Sequence, residues 1–239
     1  MGLFDKKFCD ICGGKIGLLG NRKLDDGNMC KDCAALLSPF MTDRKKTSVA
    51  DIKEHLAYRE ANKELVAAFN VTKTLGKNTK VLLDEDAHKF MVTSAQRWQS
   101  ANPDVMEFSQ VSGCQTEIKE LRSEIKKDGP DGKKISYTPP RYDIDYDFHI
   151  TIHVNAPWFS AINFKVNSSA IKERTSVEYR ETERIAKEIK EALTEVRQDV
   201  RDGIIEANTP KQAVTCSLCG ATTMPDANMR CEYCGGALS

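Results

Sequence analysis

Eight of the nine cysteines stand in four Cys-x-x-Cys pairs, the residues of this chain whose type and spacing could do chemistry. Two thiolates three residues apart can occupy adjacent corners of a tetrahedron around a metal ion, and a second pair completes the site. The sequence therefore predicts two structural Zn²⁺ ions, and for the first set a redox dithiol pair or a vestigial site is the alternative. The predicted ligands are Cys9, Cys12, Cys30 and Cys33 in the first set, and Cys216, Cys219, Cys231 and Cys234 in the second.

The first set lies in a predicted module at residues 1–42. A Cys-x-x-Cys turn, a short hairpin within residues 15–24 and a second Cys-x-x-Cys at a helix start follow the order of a treble-clef finger. Because all four positions are cysteine, no coordination site stays open for catalysis. Four leucines of this module are expected to form a small core beneath the metal, and an exposed apolar tip for a partner is the alternative. They are Leu18, Leu19, Leu36 and Leu37.

Several short strings in this module carry a resemblance to a known family. They are Cys9-x-x-Cys12-Gly13, Gly17-Leu18-Leu19-Gly20, Arg22-Lys23-Leu24, Asp26-Gly27 and Cys30-x-x-Cys33. Together they resemble a bacterial, mainly Firmicute, zinc-binding domain family of unknown function. The resemblance covers about the first fifth of the chain, and it implies a bacterial origin and a bound metal but no activity.

The second set lies in a predicted module at residues 208–239. Its two cysteine pairs are separated by 11 residues, against 17 in the first module. The glycines that follow each pair permit sharp turns, as in a zinc ribbon. A module of this size has almost no core, so it is expected to fold only on its metal.

The chain between the modules divides into a linker with a helix at 43–68 and a β domain at 69–207. Ser48 and Asp51 resemble a helix capping box, which predicts a helix from Ser48 to Ala68. Seven β-type runs follow it, separated by turn residues. They span residues 71–75, 80–83, 89–93, 105–111, 114–121, 142–154 and 162–166.

The run from Tyr142 to Val154 is the clearest of these strands. Its even positions are all apolar, and its odd positions are polar. Successive strand residues point to opposite faces, so one wall of the whole run is expected in a core and the other in water.

The last regular element is a helix predicted at 176–206. Thr175 and Glu178 suggest a capping box, and an apolar stripe recurs at helical spacing. We expect Ile185, Ile189 and Leu193 to cover the β domain. The distal residues Val196, Val200 and Ile204 are expected to pack on the 48–68 helix or on a second copy of the chain.

Seven antiparallel strands followed by an amphipathic helix resemble the element order of a pleckstrin-homology (PH)-like fold. The predicted class is therefore α+β, a PH-like antiparallel barrel or sandwich flanked by the treble-clef-like module and the zinc ribbon. A plain β-sandwich with a packed helix is the alternative. The resemblance lies in element order only, and no sequence motif carries it.

Net charge and hydropathy limit the classes of partner that the chain is expected to bind. Lys and Arg total 35, as do Asp and Glu, and two Zn(Cys)₄ units would lower the net charge to about −4. Binding to nucleic acid by bulk attraction is therefore disfavoured. The sequence has no apolar run of membrane-spanning length and no apolar stretch typical of a signal peptide, which predicts a cytoplasmic protein.

Three further features are candidates for chemistry. The polar wall of the long strand carries Asp143, Asp145, Asp147, His149 and His153, which could share a hard cation or an acid–base pair but are more typical of a solvated face. The lysines of the 126–134 loop could bind an anion. The ninth cysteine, Cys114, is expected to be a buried thiol that behaves as a small hydrophobe.

These features favour a non-enzymatic zinc-binding adaptor or scaffold that contacts other proteins. Contact with a membrane surface and self-association through helix 176–206 are further expectations. Two alternatives remain: nucleic-acid binding through the zinc modules, and an enzyme that uses the Asp/His face of strand 142–154. The sequence names neither the partner nor a ligand.

Overall fold

The computed structural model describes residues 7–208, 213–224 and 229–238, with side chains described to residue 202 in the last helix. The chain divides into two compact units, one ending at Arg197 and the other beginning at Gln198. The long C-terminal helix begins in the first unit and continues into the second.

The N-terminal module of the first unit is built from short elements. They are β1 (Lys7–Phe8), β2 (Lys15–Ile16), β3 (Arg22–Lys23), β4 (Asn28–Met29) and α1 (Lys31–Ala35). β1 pairs with β2 and β3 with β4, both antiparallel. Their buried residues form one core with a residue of the next helix: Cys9, Ile16, Leu24, Met29, Cys33 and Ile52.

The expected leucine core beneath the metal is wrong for three of its four members. Leu18 and Leu19 are each 88% exposed, and Leu36 is exposed as well, while only Leu37 packs on the core. The two adjacent leucines lie on a turn between the hairpins, closed by a hydrogen bond from Gly20 N–H to the Gly17 carbonyl. Within the described residues this turn is not covered by another element, so its side chains lie in water.

Helix α2 (Val49–Ala68) begins as predicted. Ser48 is its N-cap, and Ser48 and Asp51 form the capping box. The buried stripe of this helix has polar residues at its centre. The buried residues are Ile52, His55, Arg59, Asn62 and Val66.

These polar residues join α2 to both of its neighbours. Arg59 donates to Asp104 Oδ1 at 2.8 Å, and Asp104 Oδ2 accepts from the Ser38 hydroxyl at 2.7 Å. The Asn62 amide donates to the Pro103 carbonyl at 2.7 Å and accepts from Val105 N–H at 3.0 Å. The N-terminal module, α2 and the β domain are therefore held together by one buried polar network.

His55 completes this network at its other end. Its Nε2 accepts from the backbone N–H of Ser38 at 3.0 Å, and its ring packs edge-on against Trp158. Nδ1 has no hydrogen-bond partner in the described part of the chain. Burial lowers the pKa of His55, an effect that Asp104 opposes and Arg59 reinforces. The imidazole is therefore held neutral, the form that can accept a hydrogen bond.

The β domain contains the seven antiparallel strands that the sequence predicts, divided between two sheets. The first sheet has four strands in chain order: β5 (Lys73–Leu75), β6 (Lys80–Asp84), β7 (Lys89–Thr93) and β8 (Val105–Glu107). A short helix, α3 (Trp98–Ala101), precedes β8. The second sheet has the order β11 (Ala161–Lys165), β10 (Lys134–Val154), β9 (Val111–Asp128).

The first sheet is buried on both faces. Leu82, Met91 and Val105 pack with Val66 and Phe69 at the end of α2. The opposite face of the sheet is also buried, through Val81, Leu83, Phe90 and Val92. Among the described residues no strand of one sheet pairs with a strand of the other, so the expected barrel does not close.

Strand β10 is longer than the predicted strand at 142–154, and only part of it is buried. The even positions from Tyr146 to Val154 are buried, whereas Tyr142 is 55% exposed. The reason is coverage: β11 pairs only with residues 149–153, and Tyr179 of the last helix packs on Tyr146 and Phe148. Towards its N-terminal end β10 pairs with β9 alone among the described strands.

The last helix, α4 (Val177–Asn208), begins one residue later than predicted. The Ser176 hydroxyl accepts from Tyr179 N–H at 3.1 Å, so Ser176 caps the helix and the predicted Thr175–Glu178 box is wrong. Ile185, Ile189, Leu193 and Val196 are buried as expected. Val200 is half-buried, and the side chain of Ile204 lies outside the described residues.

The expected packing of the distal turns of α4 on α2 stays a prediction. The apolar residues that α2 buries are used in the N-terminal core, through Ile52, and against the first sheet, through Val66. No helix in the described ranges is long and apolar enough to cross a membrane.

The buried ion pair leads to a stability prediction. Replacing Arg59 by Met leaves the Asp104 carboxylate buried without its cation, and we expect a loss of about 3–5 kcal/mol in the free energy of unfolding. Lys63 forms an exposed pair with Glu60 one turn further along the same helix. Lys63→Met is the matched control and should change stability by at most about 1 kcal/mol. Equal shifts of the denaturation midpoints of the two variants would contradict the assignment.

The neutral state of His55 gives a pH prediction. Because its folded pKa is lowered, the unfolded chain binds more protons, and the stability due to neutral His55 is complete above about pH 6.5 and is lost as the pH falls below it. Urea unfolding at several pH values gives the free energy of unfolding as a function of pH. Below this pH, the free energy should depend less steeply on pH for His55→Gln than for the natural chain. The exposed His88, replaced by Asn, is the control and should keep the original slope.

Candidate metal centres

The N-terminal cysteines converge on one point. Cys9 and Cys33 are buried, and Cys30 and Cys12 lie progressively closer to solvent. All four Sγ atoms lie within 4.8 Å of one another. The Sγ atoms of Cys9 and Cys33 are 3.9 Å apart, and those of Cys12 and Cys30 are 3.8 Å apart.

The C-terminal cysteines form a second such group, within the second unit. The Sγ atoms of Cys216 and Cys234 are 3.6 Å apart, and those of Cys219 and Cys231 are 3.7 Å apart. Around them lie β12 (Val214–Thr215) and β13 (Thr222–Thr223), which form an antiparallel hairpin, and a bridge between Arg230 and Ala237.

Both groups have the dimensions of a tetrahedral metal–thiolate site. A metal–sulfur distance of about 2.3 Å places neighbouring sulfur atoms of a tetrahedron about 3.8 Å apart. The observed separations match this value, and each set provides four thiolate ligands without a position for water. The two four-cysteine groups can therefore each hold a metal ion in a closed, structural manner, which is consistent with zinc.

The same backbone turn positions three of the four cysteine pairs. In each turn the fifth residue donates its N–H to the carbonyl of the first cysteine, as Gly13 does to Cys9 at 2.8 Å. Gly13, Gly220 and Gly235 have φ near +70°, a conformation that favours glycine. The fourth pair is helical: Cys30 is the N-cap of α1, and its Sγ accepts from Cys33 N–H at 3.4 Å.

Hydrogen bonds from backbone N–H groups also lower the pKa of one cysteine in each site. Burial raises the pKa of Cys9, but hydrogen bonds from the backbone N–H groups of Cys12, Cys30 and Ile11 outweigh it and bring the pKa to about 6. Similar bonds from Cys219 and Leu218 lower the pKa of Cys216 to about 7. A metal ion binds the deprotonated thiolate, so each site holds one ligand close to its binding form at neutral pH.

The predicted Asp/His face exists as a face but does not form a cation site. Asp147 is bound by Lys165 and Asn167. Its partial burial raises its pKa, but these two hydrogen bonds outweigh that effect, so the net shift is downward. In the described parts of the chain, the cysteines are the only groups of three or more possible ligands that converge.

Two other candidates have ordinary surroundings. Cys114 is half-buried, and burial raises its pKa to about 11 although the charge of Lys190 opposes the shift. Its thiol is therefore protonated and unreactive at neutral pH. The lysines of the 126–134 loop lie on the ends of β9 and β10 and beside the turn, where Lys134 pairs with Asp128 at 2.8 Å and Lys127 lies over the Tyr137 ring.

A cavity of about 290 Å³ lies in the first unit beside the buried network, between Phe40, Val92 and Phe164. Its one charged lining residue is Arg59, which already donates to Leu36, Asn102 and Asp104. The cavity therefore offers apolar walls without a free charged anchor. The sequence did not indicate it, since its walls come from segments far apart in the chain.

The two metal sites should differ in what they stabilise. Cys9 and Cys33 share a core with Ile52 of α2, so Cys33→Ser should lower both the metal content and the main unfolding temperature. Cys219→Ser should lower the metal content equally but leave the main transition in place, because the second group of cysteines lies in the other unit.

Elemental analysis and a thermal melt of each purified variant would test this. The natural chain should contain two equivalents of zinc, and each variant one. Loss of the main transition in Cys219→Ser would show that the C-terminal module is built into the larger core.

Comparison with known proteins finds one family model that matches part of the chain. Residues 7–55 match a family model described as "Domain of unknown function (DUF4428)". The matched range contains the whole N-terminal cysteine set and the first turns of α2. No curated protein and no solved structure matches the chain.

Proposed function

We propose that this chain is a non-enzymatic, zinc-binding adaptor that presents apolar side chains of its two metal modules to a protein partner. The observation that carries the proposal is the position of these side chains. Leu18 and Leu19 project from the N-terminal module, and in the C-terminal module Leu218 is 75% and Tyr233 71% exposed.

A metal ion bound at each site would hold the backbone near these side chains in place, which favours binding. Leu218 and Tyr233 each lie between two cysteines of one pair, so a bound metal would fix the turn that carries them. Leu18 and Leu19 follow β2, whose Ile16 is buried in the core that contains Cys9 and Cys33. A surface held rigid before binding loses little conformational entropy when its partner arrives, which favours affinity.

Single exposed leucines are common on protein surfaces, but an adjacent pair at the tip of a turn is less usual. Burying a leucine side chain contributes about 1.5–3 kcal/mol. Leu18 and Leu19 together could therefore supply a useful part of a moderate affinity. Lys15, Arg22 and Lys23 flank the turn, which favours a partner surface with acidic groups or anionic lipid around an apolar patch.

For the part of the chain between the modules, we propose a PH-like body. Seven antiparallel strands divided four and three, followed by an amphipathic helix, support this assignment through their order. In this view the body is a rigid carrier for the N-terminal module, to which the Arg59–Asp104 network fixes it. Paired cysteine metal sites are typical of reducing compartments, so we further propose a cytoplasmic location.

Replacing Leu18 and Leu19 together by serine should abolish partner capture without disturbing the fold, since both side chains lie in water. The experiment is a quantitative pull-down from the native host, comparing the natural chain with this variant and measuring metal content on the same preparations. Leu24→Ser, in the core of the same module, is the contrasting variant and should unfold it. If the same proteins are recovered with and without the two leucines, the proposed surface is wrong.

A further inference from the structure

Beyond the body of the second sheet, β9 and β10 continue as a two-stranded arm. We define the arm as residues 117–128 of β9 and 134–145 of β10, which pair with each other up to Asp128 and Lys134. No third strand of the described chain covers this part, because β11 ends its pairing at His149 and Ile171 bridges only to Tyr146. An isolated two-stranded ribbon is only marginally stable in water, so pairing with a further strand would stabilise a long one.

The arm also carries apolar side chains that stay partly exposed in the described structure. The exposed ones are Ile118, Leu121, Ile135 and Tyr142. Leu121 is 51% exposed although it lies in the middle of a strand. An additional strand alongside the arm would remove part of this surface from water.

The two free edges of the arm are not equivalent. The β10 edge contains Pro139 and Pro140, which have no N–H to donate, and its register shifts between Ser136 and Arg141. Such features protect an edge from pairing. The β9 edge is the outermost strand of its sheet over 18 residues and contains no proline. It is therefore the edge that can accept another strand.

The charges along β9 are ordered so that the strand complements itself. Glu120, Arg122, Glu124 and Lys126 alternate in sign on one face of the strand. Scattered charge normally discourages edge pairing. An alternating row of charges can instead complement an antiparallel copy of itself. When two antiparallel copies meet at Ser123, Arg122 of each chain lies opposite Glu124 of the other, and Glu120 lies opposite Lys126. On the opposite face, Leu121 then meets Ile125.

The two registers immediately adjacent to this one are worse for reasons of charge. Because a two-fold axis perpendicular to the sheet keeps each residue on its own face, only registers centred on a residue are allowed. A centre at Arg122 places this arginine opposite itself, and a centre at Glu124 places two glutamates together. The Ser123 register has one unfavourable pair, Lys119 opposite Lys127. Each of these lysines has a partner in its own chain, Glu117 at 3.6 Å and the Tyr137 ring at 5.4 Å.

We propose that β9 of one chain pairs with β9 of a second copy, antiparallel about a two-fold axis at Ser123. The two arms then form a continuous four-stranded sheet. The interface is distinct from helix α4, and it makes the protein a dimer that presents two sets of metal modules. The proposal does not depend on the adaptor function.

A cysteine at the two-fold axis tests the register directly. Ser123 faces its own copy, so Ser123→Cys in the metal-loaded full chain should form a covalent dimer under mild oxidation, visible on a non-reducing gel and reversed by thiol reductant. Opposing Cα atoms in adjacent antiparallel strands lie about 4.5–5.5 Å apart, within disulfide range. Ser136 is an exposed serine on β10 of the same arm, and Ser136→Cys is the matched control. This variant should stay monomeric on the gel, as should the natural chain.

Charge reversal tests the pairing in solution. Arg122→Glu places a carboxylate opposite Glu124 of the partner and should weaken dimerisation by at least about tenfold in sedimentation equilibrium. Adding Glu124→Arg to the same chain reverses the order of the two charges and should restore the dimer. Both side chains are exposed, so the thermal melt should be unchanged in either variant.

The outcomes separate clearly. Cross-linking at residue 123 together with rescue by the charge swap supports the proposal. A natural chain that is monomeric up to high micromolar concentration overturns it. A dimer that neither Arg122→Glu weakens nor Ser123→Cys traps also overturns it, and would point to another surface such as α4.

Discussion

The buried contact between the Arg59 guanidinium and the Asp104 carboxylate is the constraint on which the arrangement of the first unit depends. Both groups are out of water, so neither can be left without the other. The contact specifies a geometry more than it adds stability. Asp104 accepts hydrogen bonds from Ser38 of the N-terminal module and from Arg59 of α2, and it directly precedes β8 of the first sheet. Three segments that could otherwise pack in several ways are thereby fixed in one.

The start of the predicted 43–68 linker and helix also packs against the N-terminal module. The backbone there is packed: Asp25 N–H donates to the Thr47 carbonyl, and Asp26 accepts from Val49 N–H at the start of α2. The helix shares its apolar end residues between two cores and its polar centre with the network. The N-terminal metal site is thus part of a larger folding unit, whereas the C-terminal one belongs to a small unit of its own.

Much of this architecture could be predicted from the sequence, because regular patterns have local causes. Seven strands and the two long helices follow from alternation, helical spacing and capping residues, and both cysteine groups follow from spacing alone. The buried network could not be predicted in the same way. His55, Arg59 and Asn62 look like the solvated face of a helix, and Asp104, the partner of Arg59, lies in a loop after an Asn-Pro pair. The prediction for Leu18 and Leu19 was wrong for the opposite reason, because an apolar side chain indicates a core only when another element packs over it.

The sequence separation across the network has a consequence for the order of folding. Ser38 and Arg59 reach partners that lie 66 and 45 residues further along the chain. During synthesis, all four N-terminal cysteines leave the ribosome well before Asp104 does. The first metal can therefore be captured on a nascent chain whose α2 still has its arginine hydrated, and docking of that helix onto the sheet must wait for β8. Metal binding at the first site and final assembly of the first unit can in this way be separate, ordered steps in the biogenesis of the molecule.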